Sequence, residues 1–563
     1  MSIASPKAVI KYLFASILVG TALGVSGAFA AQGFRSGIIF VSDFLKRIYQ
    51  GEPNFFFYLF TLSIALLFVH YAKVFIKGKP FQSVADSIYL AHKSNNETDV
   101  RVGIVSTLAA FFSASGGASI GQYGPLVHFG TTLGAWLKQK MPFNFTPDLY
   151  IGAGVAASIS SGFGAPLAGL IFAHEAILRH YSHKSILAIA TASGISYAVS
   201  TAIWGDANVI AVSPDQFNLL LILLISFLAG PIFGLIAILY MKSLLFFNKL
   251  ANQNNFSLIY KYGACIISLS IIGHFVPEVM GLGAETVGGV LGSNYTIFLL
   301  IIIVLGKILA TSISLNFGFF GGVFSPAILV GAGAGAVVSA ILVSIGIFEE
   351  FQQALVISGI AAVAGSVIGA PLCMVIIVLE LTNSYAYALA SLVGLAISVG
   401  YVQVRFGSSY FDVQLLNRGI DISDGRTGLF MYETEILEFA EVNFQTVKES
   451  DSVEKAISLM SSTNQSELIV LDANEEFKGK INSLSLFNKS GTLLESAVID
   501  TNSIVIEHDA SLQNAMEIAA DFVGEIIPIV NINTKKAVAV ITEGAIFQAY
   551  LSKQNQTVDV EKR

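Results

Sequence analysis

The sequence predicts an all-α polytopic membrane protein followed by a small α/β pair in water. Three observations carry this reading. Of 563 residues, 54% are hydrophobic and only 12% are charged, where soluble domains carry about 25% charged residues. Apolar stretches of about 20 residues, the length that crosses a bilayer as a helix, recur at 58–76, 218–241, 258–274, 296–315, 327–347 and 354–380. From Asp421 onward, charges become frequent and spanning runs stop.

At the N-terminus, Lys7 and Lys11 precede an apolar run, and "AFAAQG" at 28–33 has the small residues of a cleavage site. That is the grammar of a secretory signal. Many spanning runs follow, so this one is read as a first membrane helix, and the lysines favour a cytoplasmic N-terminus. Next comes "GGASIGQYGPLVHFG" at 116–130, too glycine-rich for a packed helix and too apolar for a surface loop. Non-helical backbone at membrane depth is tolerated only where protein buries it or where it lines a cavity. A helix opening near Pro125 aims free N–H groups and its dipole at the preceding loop, which makes a site for an anion. The plainer reading is close helix packing through small residues.

The motif has an echo. "GQYGP" at 121–125 matches "GGVFSP" at 321–326, with Pro125 and Pro326 separated by 201 (326 − 125). "GAPLAGLIFAHE" at 164–175 matches "GAPLCMVIIVLE" at 369–380, an offset of 205 (370 − 165). Two motifs repeated in order at nearly one offset indicate two structural repeats, and transporters place substrate sites where the broken helices of such repeats meet. No Lys or Arg lies inside either loop. A site of partial charges holds an anion without trapping it, as conduction requires.

Cys265 and Cys373 both lie in apolar segments and form neither a disulfide framework nor a metal cluster. A net charge of −7 gives no support for a nucleic-acid partner. The tail alternates amphipathic helices with short β-branched strands in two copies of about 55 residues. The expected boundaries are a membrane domain at 1–420, a linker at 421–440, repeats at 441–498 and 499–555, and a tail at 556–563. With an inside N-terminus, a soluble tail is most simply cytoplasmic, which requires an even number of crossings.

Taken in order, these motifs resemble the CLC family of chloride channels and chloride/proton antiporters. "GGASIGQYGPLVHFG" is similar to the family's GxSxGREGPxVxxG. "AGVAASISSGFGAPLAGLIFAHE", "GFFGGVFSPAILVGAGAG", "AGSVIGAPLCMVIIVLELTNSY" and "SYFDVQLLNRGI" follow in family order. The tail resembles a pair of CBS domains. The resemblance implies two inverted helical repeats and a homodimer in which each subunit holds its own anion pathway. It implies chloride near the amides of Tyr123, Gly124, Val323 and Phe324. In "PFQSVADSI" at 80–88 it sets Gln82, or Ser83 after a one-residue gap, where the family has the serine that contacts the central anion. At the far end it sets Phe411, or Tyr410 after a slip, at an inner gate.

The departures carry the functional reading. The glutamate that the family uses as outer gate and proton carrier is here Tyr123, and the preceding arginine is Gln122. A carboxylate titrates near pH 4 and a phenol near 10, so Tyr123 cannot act as a charged mimic of the anion. Antiporters also carry an inner glutamate directly after that of "FxxE", and this position is Ala176. His174, which could titrate near neutrality, and Glu175 beside it are read as a satisfied buried polar pair at a helix end. Nucleotide-binding CBS pairs often hold ribose with an aspartate after the last strand, and the matching positions are Ser485 and Ala545.

The expected function is therefore a multi-pass protein of an inner or plasma membrane with both termini cytoplasmic. It passes chloride or a similar monovalent anion passively, with Tyr123 and Phe411 as gates, and uses neither cofactor nor metal. Nucleotide binding by the CBS pair is not expected. The alternatives are an anion/proton antiporter using other residues and a pathway for fluoride or nitrate. "GASIG" at 117–121 also fits the nucleophile elbow G-x-S-x-G, which would make Ser119, with His128 as base, part of an intramembrane hydrolase. An enzyme is not the expected reading.

Overall fold

The computed structural model describes the chain except residues 1–5, 50–52, 94–97, 144, 182, 206–217, 254–256, 347–348, 423–424, 488–498 and 563. It divides into two compact units, Met1–Arg418 and Gly419–Arg563. The first half of unit one contains α1 (Pro6–Tyr49), α2 (Phe55–Phe75), α3 (Val84–His92), α4 (Val100–Ser115), α5 (Tyr123–Lys140), α6 (Pro147–Phe163), α7 (Pro166–Phe172), a π-helical turn (Ala173–Leu178) and α8 (Ile186–Trp204). The second half contains α9 (Leu219–Gln253), α10 (Leu258–Phe275), α11 (Ala284–Leu291), α12 (Ile297–Phe317), α13 (Phe324–Ser344), α14 (Gln352–Ile368), α15 (Pro371–Thr382) and α16 (Tyr385–Arg405), and closes with α17 (Tyr410–Leu416). Among the described residues, eight helices are long and apolar enough to cross a membrane.

The run at 354–380 is two helices rather than one. Gly369, at φ 78°, ends α14, and Pro371 opens α15. The first half breaks in the same way at Gly164, φ 70°, and Pro166. Glycine enters the left-handed region without a Cβ clash, and proline at the first helical position has no N–H to lose.

The two halves are inverted repeats. Every residue of α6 is buried, as is α14 from Ala354 onward. Both helices are built from Ala, Gly, Ser and aliphatic residues on all sides, the pattern of a helix with no solvent face. Each crosses its partner at backbone contact. A Cβ on Gly130 of α5 would lie 2.3 Å from the Gly154 carbonyl oxygen of α6. A Cβ on Gly331 of α13 would lie 2.4 Å from that of Gly359 on α14.

Unit two is α/β. Its elements are α18 (Gly425–Glu433), β1 (Thr446–Lys448), α19 (Val453–Thr463), β2 (Glu467–Leu471), β3 (Phe477–Asn482), β4 (Ile506–Glu507), α20 (Leu512–Ala519), β5 (Ile527–Asn531), β6 (Lys536–Ile541) and α21 (Glu543–Lys562). They make two three-stranded sheets, β1-β2-β3 and β4-β5-β6. In each the first pair is parallel and the second antiparallel, with Thr446 opposite Ile469 and Ile506 opposite Ile529. The strands recur after 60 residues (527 − 467), slightly more than the expected 55. Ser452 and Ser511 cap the two helices by accepting from Lys455 N and Asn514 N.

Two boundaries change. The segment 421–440 is not a plain linker, because it contains α18 and sends Met431 and Ile436 into the core of the second repeat. The expected tail at 556–563 continues α21 as far as Lys562. The second helix expected in the first repeat falls partly on 488–498, outside the described residues. A buried ion pair, Lys480 Nζ to Glu467 Oε2 at 3.0 Å, lies within the first repeat and reaches the second through its carboxylate. The same carboxylate oxygen accepts Glu525 N at 3.0 Å and Ile526 N at 3.1 Å. Both charges are thus hydrogen-bonded, which a buried pair requires.

Candidate anion pathway

The two glycine loops meet face to face. Gly121 N donates to Gly322 O at 2.7 Å, and Gly322 N donates to Gly121 O at 2.8 Å. Gln122 N donates to Ser325 Oγ at 3.3 Å. This clasp sets the starts of α5 and α13 against each other, with Tyr123 and Phe324 as their first residues. The first amides of each helix have no intrahelical acceptor, so partial positive charge converges here from both repeats. The approach demands glycine, since a Cβ on Gly121 would lie 2.9 Å from Gly322 O and one on Gly322 would lie 2.9 Å from Gly124 N.

A cavity opens on each side of the clasp. One, of about 610 Å³, is lined by Tyr123, Gln122, Phe163 and Ser325 together with most of the segment 282–292. The other, of about 110 Å³, is lined by Ser83, Gly124, Val323, Tyr410, Phe411, Asn248, Asn316 and Gln414, among others. The smaller one has room for an ion with a few waters, each of which takes about 30 Å³ in liquid. Tyr123 faces one cavity and Gly124 the other, so the clasp and its rings form the partition between them. The half-buried Tyr123 ring stacks on Phe163, with centroids 3.7 Å apart and planes at 16°. It meets the buried Phe324 edge-on at 5.5 Å.

The structure separates Gln82 from Ser83. Ser83 lines the small cavity, whereas Gln82 lines neither. Gln82 Oε1 faces His128 Nε2 at 3.1 Å, and Gln82 N donates to Ser106 Oγ. Ser83 is fixed by a capping box, with its N and Oγ both donating to Asp86 Oδ2. Arg418 donates to Asp86 Oδ1 at 2.8 Å. Phe411 and Tyr410 both line the small cavity, behind a second capping box of Ser409 and Asp412. Asp412 pairs with Arg179.

Glu175 and Glu380 cross-link the repeats. Glu175 accepts Leu372 N at 2.9 Å and Cys373 N at 2.7 Å, at the start of α15. Glu380 accepts Leu167 N at 2.8 Å and Ala168 N at 2.9 Å, at the start of α7. Ala176 is buried in the π-helical turn and lines neither cavity. His174 does not share a hydrogen bond with Glu175: its Nδ1 faces Leu170 O, and its ring stacks on Tyr181. Ser119 is not a nucleophile elbow. A helix precedes it rather than a strand, and its Oγ donates to Val279 O at 2.9 Å. His128 instead faces Ser87 Oγ at 2.9 Å.

Several supporting residues escaped the sequence reading. Tyr240 donates to Val323 O at 3.2 Å and steadies the second loop. The fully buried Lys307 donates to Val279 O at 3.0 Å and Gly281 O at 2.8 Å, bracing the segment that Gly117 O and Ser119 also hold. Among the described residues no carboxylate pairs with it. A lysine inside an apolar run is itself a pointer to function, and that signal was present in 296–315. Asn248 and Asn316, hydrogen-bonded to each other at 3.0 Å, gave no such sign because only the fold brings them together.

A family profile described as voltage gated chloride channel matches residues 76–403, which spans both loops, both breaks and the partition. The chain belongs to the voltage gated chloride channel family. Among its relatives, H(+)/Cl(-) exchange transporter ClcA of Vibrio vulnificus (strain YJ016) is 27% identical over 438 residues, covering 73% of this chain and 90% of the relative. Chloride channel protein CLC-f of Arabidopsis thaliana is 26% identical over 424 residues, covering 69% and 54%. Two solved structures share the fold. A slow cyanobacterial Cl-/H+ antiporter gives a TM-score of 0.62 at 21% identity over 72% of this chain and 97% of that one. A eukaryotic CLC transporter gives 0.64 at 16% identity over 95% and 98%. This member of the voltage gated chloride channel family is thus an integral multi-pass membrane protein of an anion-transporting family.

Proposed function

We propose that the chain passes chloride or a similar monovalent anion through the partition at Tyr123, passively and without moving protons. The observation that carries this reading is the chemistry of the partition. Its rings are Tyr123, Phe163 and Phe324, and none can carry a proton as a carboxylate does. Glu285 lines the larger cavity but is exposed to water, and four further carboxylates are engaged elsewhere. Glu175 and Glu380 cap helices, and Asp86 and Asp412 pair with Arg418 and Arg179. Ala176 replaces the inner proton carrier that the family resemblance implies. Ser83, Gly124, Val323 and Phe411 face the anion on one side, Tyr123 gates it on the other, and Phe324 contributes its amide. Gln82 acts one step back, through His128. The homodimer and the cytoplasmic termini implied by the resemblance belong to the same reading.

Chloride efflux from liposomes carrying the full chain, started with a potassium ionophore, tests transport itself. Efflux above that of protein-free liposomes is expected, and its absence contradicts the proposal. Repeating the assay with fluoride or nitrate inside ranks the anions.

The CBS-like pair is proposed as a folding and dimerisation platform rather than a nucleotide sensor. Ser485 is turned onto its own loop, its Oγ donating to Asn482 O at 2.7 Å. Ala545 offers no acceptor, and its N–H is held by Thr542 Oγ1. ATP titrated calorimetrically into the full chain is expected to give no saturable heat. A micromolar dissociation constant contradicts this assignment.

A further inference from the structure

A basic cluster crowns the end of α2. Lys73, Lys77 and Lys79 are exposed there, and so is Arg101 in the first turn of α4. Two contacts draw these helix ends together. The Arg101 guanidinium lies 4.1 Å from the centre of the Phe75 ring and donates to Phe75 O at 3.3 Å. Lys79 pairs with Asp99 at 2.7 Å, and among the described residues no other cation of the four has a carboxylate partner. Four positive charges against one leave a local charge of +3 (4 − 1). An apolar seam between α2 and α4 runs away from the cluster. Phe68, Tyr71 and Phe75 share one face of α2, and Ile104 and Leu108 follow Arg101 on one face of α4. All five are between 41% and 62% exposed. Phe68 closes the seam by stacking on Phe112, with centroids 4.4 Å apart and planes at 9°. From Phe75 to Phe68 the seam is about 10 Å long at 1.5 Å per residue, against about 15 Å for the hydrocarbon of one leaflet.

We propose that this seam is a binding site for an anionic phospholipid. The phosphate lies among Lys77, Lys79 and Arg101, and an acyl chain lies along the seam toward Phe68 and Phe112. Because α2 is long and apolar enough to cross the membrane, its exposed face meets lipid tails and its end meets headgroups. Lysine and arginine keep their charged heads at that surface while their stems cover apolar area, and clusters of about four such residues beside a spanning helix attract anionic headgroups. A zwitterionic lipid brings its own cation against the cluster, and a soluble anion leaves the seam uncovered. Basic residues after a helix also complement its dipole, a role that needs no ligand and gives no lipid preference. The site stands apart from the anion pathway and does not rest on that reading.

The test titrates the full chain, delipidated in a non-ionic detergent, with dioleoylphosphatidylglycerol and separately with dioleoylphosphatidylcholine. Native mass spectrometry counts the lipid bound per chain. One phosphatidylglycerol is expected to bind at least about tenfold more tightly than phosphatidylcholine. The triple variant Lys77→Gln, Lys79→Gln, Arg101→Gln is expected to bring the two lipids within about twofold of each other. Lys77→Glu leaves the Arg101–Phe75 and Lys79–Asp99 contacts in place, and is expected to cut the preference at least about threefold. Glycerol phosphate, which has the charge but no chain, is expected not to displace the lipid. Equal binding of the two lipids overturns the proposal, and so does a preference that Lys77→Glu and the triple variant both retain. Displacement by glycerol phosphate at the affinity of the lipid assigns the cluster to a soluble phosphate and overturns the lipid site.

Discussion

Tyr123→Ala raises chloride efflux several-fold, and Tyr123→Glu makes efflux depend on acid. The ring lies between the two cavities, stacked on Phe163 at 3.7 Å and against Phe324 at 5.5 Å. Removing it opens the layer on one side of the clasp while leaving the amides of α5 and α13 in place. The loss of packing costs about 3 kcal/mol of stability, as for other large aromatic truncations, so the variant is compared at equal folded protein. Tyr123→Phe keeps the ring and changes efflux little. A glutamate at 123 behaves differently because its ionised form competes with the anion for the helix amides. Burial raises its pKa and the amides lower it, but in either case protonation removes the competing charge. Efflux in Tyr123→Glu therefore rises as pH falls, whereas the phenol of the wild type stays neutral across the same range. Efflux recorded from acid to neutral pH for all four proteins decides the matter. If both Ala and Glu variants match the wild type in rate and pH profile, Tyr123 is not in the path.

Glu175→Ala and Glu380→Ala each destabilise the membrane unit strongly, with no effect on proton coupling. Each carboxylate takes two backbone N–H groups at the start of a helix in the opposite repeat. Hydrogen bonds to a charged group contribute about 1.5–3 kcal/mol each, and an orphaned donor adds its own desolvation penalty. Both carboxylates are only half-buried, so the expected loss is about 2–3 kcal/mol per site. Glu→Gln retains one acceptor oxygen and the shape, so about half of that loss is expected. The two caps join the same pair of helix starts, so the double variant is not expected to be the sum of the singles. Thermal unfolding in detergent measures this. A Glu175→Gln protein as stable as wild type but altered in proton movement would assign Glu175 to transport rather than to structure.

How much the sequence disclosed depended on the range of the interaction. The clasp was legible because its parts are local, glycines before a proline, and recur after 201 residues. The break at Gly369–Pro371 was written in "GAPL" yet hidden inside an apolar run of apparent spanning length. The choice between Gln82 and Ser83 turns on a short-range signal in the sequence itself. Serine three residues before Asp86 is a capping box, and it fixes where α3 starts and thus which residue faces the cavity. The mutual capping by Glu175 and Glu380 could not be read from either motif alone. Each glutamate sits at the end of its own motif, and its partner amides lie in the other repeat. The amides of Asn248, Asn316 and Gln414 were invisible for the same reason. In the tail, α18 looked like a linker because its apolar residues, Met431 and Ile436, find their core only among residues about 80 positions further on.

The central claim is that anion flow here is not coupled to protons. The most direct test loads liposomes carrying the full chain with chloride, places them in a low-chloride medium of the same pH, and records external pH together with chloride efflux. A potassium ionophore holds the voltage at zero. The account predicts chloride efflux with no opposing proton movement and a steady external pH. Proton uptake against its gradient, driven by chloride and abolished by a protonophore, would contradict it.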